Sequence, residues 1–237
     1  MKSLARSLFP PLVWSGLQRL RASIGARRAA SDPSRQDLDL YWDPEFARVL
    51  DTWGEGNVWN EIQLLMADSR GRVLDIACGT GRTMEILRDL CNLEIHGCDI
   101  SDLLIDRAHA RGIDPARLIV CDATTMPYEA DSFDWSYSIG SLEHFTLDGI
   151  DRLIDEAHRV TRRATFHFMP TSRSDRDEGW MKTTQSFHNN SVAWWRARFE
   201  RRFPEVRIVG SSWSDRISVG HWFLCWRDAR RAAKGGA

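Results

Sequence analysis

Several things are scarce in this chain, and each absence excludes something. No run is long and apolar enough to cross a membrane. Phe9-Pro10-Pro11 interrupts any N-terminal secretory core, so no signal peptide is expected. The five cysteines, Cys78, Cys91, Cys98, Cys121 and Cys225, lack the pair spacing that holds zinc or an iron–sulfur cluster. Several of them fall in strand-like apolar runs, which favours reduced thiols and a cytoplasmic location. Charge of one sign is missing as well. With 32 basic and 33 acidic side chains the net charge is −1, so there is no global basic field and no nucleic-acid partner is expected. Repeats and low-complexity blocks are absent, and 237 residues suit one α/β domain with short additions.

The charge that is present is uneven. Residues 1–35 hold seven basic side chains and one Asp, which leaves an excess of acid in the remainder. Val13, Leu17, Leu20 and Ile24 share one face of a short helical pattern, with Arg19 and Arg21 elsewhere. One reading is a basic helix through residues 1–30 in peripheral contact with anionic lipid at the inner face of a membrane. The other is an ordinary packed helix or an arm. Residues 1–36 are therefore set apart as an arm plus linker, and 37–237 as the main domain.

The strongest signal is Val73-Leu74-Asp75-Ile76-Ala77-Cys78-Gly79-Thr80-Gly81-Arg82, with Asp99 eighteen residues after Gly81. It reads as a buried strand, a glycine loop and a helix, followed by an acid at the tip of the next strand. Gly79 and Gly81 allow a sharp bend and a close approach to a ligand. A carboxylate about 20 residues further on can accept both hydroxyls of a ribose. A dinucleotide fingerprint needs a third glycine, where this chain has Met84. Asp75 in the strand would repel a pyrophosphate, but it could organise the loop or pair with an ammonium group.

Downstream the pattern alternates. Strands are predicted at 72–77, 93–99, 118–121, 133–139 and 164–169, the last stopped by Pro170. Helices are predicted at 81–91, from Ser101 to about 112, and at 148–160. A Trp- and Arg-rich helix over 191–203 precedes two final strands at 206–209 and 221–226. This predicts a doubly wound, mostly parallel seven-stranded sheet with helices on both faces. In such sheets the ligand sits at the carboxyl ends of the strands, where Asp75, Gly79, Gly81, Asp99, Asp122 and Ser138 all fall.

The glycine-loop string, with Asp99 in place, closely resembles motif I of the class I S-adenosylmethionine-dependent methyltransferases. Cys121-Asp122-Ala123, followed by Met126-Pro127-Tyr128, is similar to the family's next motif. The resemblance implies S-adenosylmethionine as cofactor and a final strand inserted antiparallel. It also implies a type 11 methyltransferase-like domain whose cofactor-binding residues are Asp75, Ala77, Gly79, Gly81, Asp99, Ile100, Asp122, Ala123 and Ser138. Glu143-His144 resembles the Glu-His of quinone-pathway O-methyltransferases. Those enzymes, and small-RNA 2′-O-methyltransferases, place a second Glu three residues earlier and hold a divalent metal. Here that position is Gly140, and one carboxylate with one imidazole makes a poor Mg²⁺ site, so no metal is expected.

His144 is the first candidate for a catalytic base. The segment at 171–190 lies where this fold carries an acceptor lid, and His188 is the second. Gln185, His188, Asn189 and Asn190 could bind hydroxyl groups, with Trp180 and Phe187 as apolar walls. The expected reaction is therefore O-methylation of a small hydroxylated molecule such as a sugar or glycolipid precursor. The alternatives are a quinone or other aromatic metabolite, and a non-catalytic cofactor-binding subunit. Nothing in the sequence fixes the oligomeric state.

Overall fold

A computed structural model describes residues 35–90 and 92–228. The basic arm and its membrane reading lie outside the described residues.

The centre of the fold is a seven-stranded sheet. Its strands are β1 (Gly71–Ile76), β2 (Leu93–Asp99), β3 (Leu118–Val120), β4 (Phe133–Ile139), β5 (Thr161–Ser172), β8 (Glu205–Ser214) and β9 (Ser218–Trp226). Their spatial order is β3-β2-β1-β4-β5-β9-β8. The first five strands pair in parallel, and β9 pairs antiparallel with both β5 and β8. The order reverses between β1 and β4, which opens a crevice at their carboxyl ends, where open α/β sheets bind ligands. The remaining two strands, β6 (Trp180–Lys182) and β7 (Ser186–His188), form a separate hairpin.

Side-chain alternation divides the core in two. Val73, Tyr137, Phe166, Phe168 and Trp222 face α2 (Val58–Met66), α3 (Arg82–Leu87) and α4 (Asp102–Ala110). Leu74, Ile76, Met169, Phe223 and Cys225 face α5 (Leu147–Val160) and α6 (Val192–Phe199). Strands buried on both faces explain the near-continuous apolar run of β1. Where a dinucleotide fingerprint has its third glycine, this chain makes room on β2 instead. Met84 packs where a Cβ on Gly97 of β2 would lie 2.6 Å from its sulfur. Helix and sheet thus come together through a glycine on the strand.

Several predicted boundaries differ. β8 and β9 run beyond 206–209 and 221–226, and α6 stops at Phe199, short of 203. α3 stops at Leu87, short of 91. β5 runs through Pro170 to Ser172. The Phe168 carbonyl accepts from Gly140 N–H just beyond the end of β4. Two residues on, position 170 faces the same side, past the last β4 residue, where no ladder donor is required. On its other side β5 continues pairing with β9 as far as Ser172↔Ser218.

α1 (Pro44–Leu50) and a preceding 3-10 turn (Leu38–Trp42) lie across the carboxyl ends of the strands. Just after α6, Arg201 and Arg202 pair with Asp151 and Asp155 of α5, and on α6 the Arg198 guanidinium lies 3.6 Å from the Trp194 ring centre. Trp195, on the inner side of α6, is fully buried. Replacing Trp195 with Ala should destabilise the protein by about 3–5 kcal/mol, measured as a lowered midpoint in chemical denaturation.

Candidate functional site

The β1–α3 loop is built from backbone conformations that few residues adopt. Ala77, Gly79 and Gly81 have φ of 57°, 55° and 71°. A Cβ on Gly81 would lie 2.8 Å from the Ala108 Cβ, so α4 can approach the loop only over glycine. Over Gly79 the nearest atom to an added Cβ is 3.8 Å away, which leaves the backbone open to a ligand. Ala77 carries a side chain in the left-handed region, a local strain typical of ligand loops.

This loop forms the floor of a cavity of about 350 Å³. Asp75, Ala77, Gly79, Asp99, Ile100, Asp122 and Ala123 line it, as do His144 and Glu143. Gly81 and Ser138 do not. Gly81 abuts α4 behind the loop. Ser138 is fully buried within β4, where its hydroxyl is 2.8 Å from His167 Nδ1. It sits one residue out of phase with Tyr137, so its side chain points to the opposite face of the sheet. There it joins a buried polar ladder with His167, Thr165, Ser136 and Thr161. Burial holds the His167 imidazole down at about 3, so it stays neutral.

The acids of the cavity are bonded in different ways. Asp99 Oδ2 accepts from Gly79 N–H at 2.9 Å, and its Oδ1 accepts from Ser101 N–H at 3.0 Å. Each oxygen keeps a further lone pair for a ribose hydroxyl. Asp122 Oδ1 accepts from Thr124 N–H at 2.8 Å, which leaves Oδ2 for a donor such as an adenine amino group. Asp75 Oδ2 accepts from the hydroxyls of Thr83 (2.5 Å) and Tyr137 (2.9 Å). Its role in bracing the loop is thus visible, and burial raises its pKa to about 7. Glu143 is 3% exposed, its Oε2 has no hydrogen-bond partner, and burial raises it to about 8. These residues fit a nucleoside bearing a diol and an amino group, and the open backbone at Gly79 fits its close approach.

His144 and His188 part company. His144 Nδ1 donates to the Ser186 carbonyl at 2.7 Å, which leaves Nε2 as an acceptor in the cavity wall. Burial lowers its pKa to about 4. His188 does not reach the cavity. It packs between Trp180 and Trp194 with ring centroids 4.7 and 5.6 Å away, and burial also lowers it to about 4. The expected amide lid dissolves in the same way. Asn189 bonds to Glu178, and Asn190 accepts from Gly179 N–H, so both tie the hairpin together. Gln185 does line the cavity, but its amide donates to the Tyr41 hydroxyl at 2.6 Å. Of the four side chains expected to hold a sugar, Gln185, Asn189 and Asn190 are bonded within the protein and His188 lies outside the cavity. At Gly140, whose φ is +64°, a Cβ would lie 3.2 Å from the Trp53 ring. No group of three metal-type ligands occurs among the described residues.

The sequence reading overlooked the roof. Residues 36–53 supply Tyr41, Phe46, Val49, Leu50 and Trp53 to the cavity. Asp37 fastens this segment to the hairpin through Lys182 Nζ (2.6 Å) and Ser186 N–H (2.7 Å). Ser101 Oγ fastens it to α4 through the Tyr41 carbonyl at 2.6 Å. Aromatic and aliphatic side chains at 41, 46, 49, 50 and 53 were the available signal, since they recur at near-helical spacing.

A mostly parallel sheet of this order, with a glycine loop after β1 and acids at the end of β2 and just past β3, is an α/β nucleoside-binding arrangement. A family described as "Methyltransferase domain" matches residues 73–164. A curated relative, the probable tRNA methyltransferase 9B of Mus musculus, is 32% identical over 111 residues, covering 45% of this chain and 23% of the relative. Methyltransferase GfsG of Streptomyces halstedii is 29% identical over 128 residues, 52% of this chain and 45% of that protein. The crystal structure of the PH0226 protein from Pyrococcus horikoshii superposes with a TM-score of 0.56 at 20% identity, covering 77% of this chain and 99% of that one. The matched regions span about a tenth to under a half of the length of the curated relatives. Among the solved structures sharing this fold are S-adenosylmethionine-dependent methyltransferases. The chain carries a class I S-adenosylmethionine-dependent methyltransferase domain.

One expectation is overturned. Several matched relatives are tRNA methyltransferases, so a net charge near zero does not exclude a nucleic-acid acceptor. Net charge describes the whole chain, whereas a nucleic acid meets local charge. The peripheral membrane reading concerns residues 1–30, outside the described residues; among the described residues no helix is long and apolar enough to cross a bilayer.

Two predictions follow from the acids. Asp99→Asn should weaken S-adenosylmethionine binding by about 1.5–3 kcal/mol, the worth of a charge-assisted hydrogen bond, as read by calorimetry. Asp75 and Glu143 titrate higher in the folded protein than in the unfolded chain. Between about pH 4 and pH 8 the folded state therefore holds protons that the unfolded state has released, and stability falls as pH rises through that window. Asp75→Asn and Glu143→Gln should each flatten this slope in unfolding midpoints measured from pH 5 to 9.

Proposed function

We propose that this domain methylates an oxygen on a small, largely apolar acceptor group lying among Trp53, Phe168, Phe187 and Trp213. The observation that carries the reading is the aromatic wall of the cavity beyond the cofactor loop. Trp53, Phe168 and Trp213 form one cluster there, with centroids 5.9 to 6.4 Å apart. Flat or apolar groups suit such a wall, which favours an aromatic metabolite over a sugar.

S-adenosylmethionine supplies an electrophilic methyl group when bound. What the chain must add is alignment and exclusion of water. The roof of residues 36–53, closed onto the hairpin by Asp37, serves the second need. His144 serves the first: with Nδ1 committed to Ser186, its neutral Nε2 can accept a hydrogen bond from an acceptor hydroxyl and draw its proton away.

A second reading is favoured by the tRNA methyltransferases among the relatives: the acceptor group is carried on a tRNA nucleoside inserted into the same cavity. Methyl-labelled S-adenosylmethionine, tested against phenols, carboxylic acids, sugars and bulk tRNA, separates the two. Label in phenols or carboxylic acids supports the first reading and label in tRNA the second. Cofactor binding without turnover on any of them would fit a non-catalytic subunit.

With an acceptor in hand, His144→Ala should lower the transfer rate about 10²–10⁴-fold while leaving the cofactor Kd unchanged. His188→Ala, measured beside it, should instead lower the unfolding midpoint, because His188 fills the space between two indoles.

A further inference from the structure

Glu143 differs from the other acids of the cavity. Asp75 is answered by two hydroxyls, Asp99 by two backbone N–H groups and Asp122 by one. Glu143 Oε2 is answered by nothing, although the residue is 3% exposed and lines the cavity. An unpaired buried carboxyl is costly and calls for a partner. Among the described residues, the nearby cations are committed elsewhere. Arg82 lines the same cavity but is held by Glu85 at 2.6 Å. Lys182, on the hairpin, is held by Asp37 at 2.6 Å. His144 Nε2 lies 3.6 Å from Glu143 Oε1, beyond hydrogen-bond distance, and its ring is neutral.

We infer that the Glu143 carboxylate is the counter-charge for the positive sulfur of the cofactor, and so raises affinity for the charged methyl donor relative to its neutral thioether product. The inference rests on the cofactor reading of the cavity. A low-dielectric wall makes one such charge pair count for more than it would in water. The other titratable groups near Glu143 do not substitute for it. The Tyr41 phenol faces both Asp99 and Glu143, whose charges push it further toward the neutral form. Asp75 and Asp99 are themselves acids, and Asp37 and His188 lie behind His144.

The pairing has a protonic consequence. In the empty cavity Glu143 keeps its proton up to about pH 8. Meeting a fixed positive charge, it releases that proton to solvent. When the charge disappears with the transferred methyl, the carboxylate takes a proton back.

Calorimetry on the full chain tests this with S-adenosylmethionine and S-adenosylhomocysteine, each titrated at pH 7 in two buffers of different ionisation enthalpy. The wild type should release more protons with the charged ligand than with the thioether. Glu143→Gln should abolish that difference and weaken S-adenosylmethionine about tenfold, with S-adenosylhomocysteine changed by less than about twofold. Equal proton release for both ligands in the wild type, or equal weakening of both in the variant, overturns the inference and leaves the cofactor reading intact. Failure of the wild type to bind either ligand overturns the cofactor reading instead. Should Glu143→Gln not fold, Glu143→Asp keeps the charge and should keep the extra proton release; its loss in that variant would also count against the inference.

Discussion

The Asp99 carboxylate is the interaction on which the site depends. One oxygen fixes the Gly79 amide of the β1–α3 loop, and the other fixes the Ser101 amide at the start of α4. Ser101 then caps α4 through Leu104 N–H and reaches the Tyr41 carbonyl. A single acid at the tip of β2 therefore sets the ligand loop, starts the next helix and anchors the roof. Charge-assisted bonds to backbone amides suit this task, since they are strong and leave lone pairs free for a ligand.

The roof gives the cavity its chemistry. Trp53, Phe46, Val49 and Leu50 come from the N-terminal segment, and Phe187 comes from the hairpin. By excluding water they strengthen every charge interaction beneath them, and they also push buried acids toward the protonated form. Asp75 and Glu143 both show that cost. It is the reverse side of a site built to receive a cationic ligand: acids that are poorly solvated when alone are well placed when a charge arrives.

The sheet was legible because its signals are local. A buried β-rich run, a glycine loop and an acid at fixed spacing place β1, β2 and the loop between them without reference to anything distant. The extension of β5 through Pro170 was not legible, because it depends on β4 having ended and β9 continuing. The assignments of Ser138 and His188 to the site failed for a related reason. A one-residue phase shift in β4 sends Ser138 to the far face, and Trp180 across the hairpin and Trp194 on α6 enclose His188. The polar residues of 171–190 announce hydrogen bonding but not its partner. Asn190 bonds to Gly179 of its own segment, and Asn189 to Glu178 and to Ser218 of β9.

By itself the sequence determined the class of fold, the cofactor loop and the acids that line it. Those features are written in residue type and short-range spacing, which the backbone obeys directly. The tertiary structure decided which face each strand residue meets, that residues 36–53 close the cavity, and which histidine enters its wall. It also decided that Glu143 keeps one buried carboxyl oxygen, Oε2, without a donor. Each of these depends on what packs across a gap between segments remote in the chain, and neither burial nor the pairing of a charge exists until those segments meet.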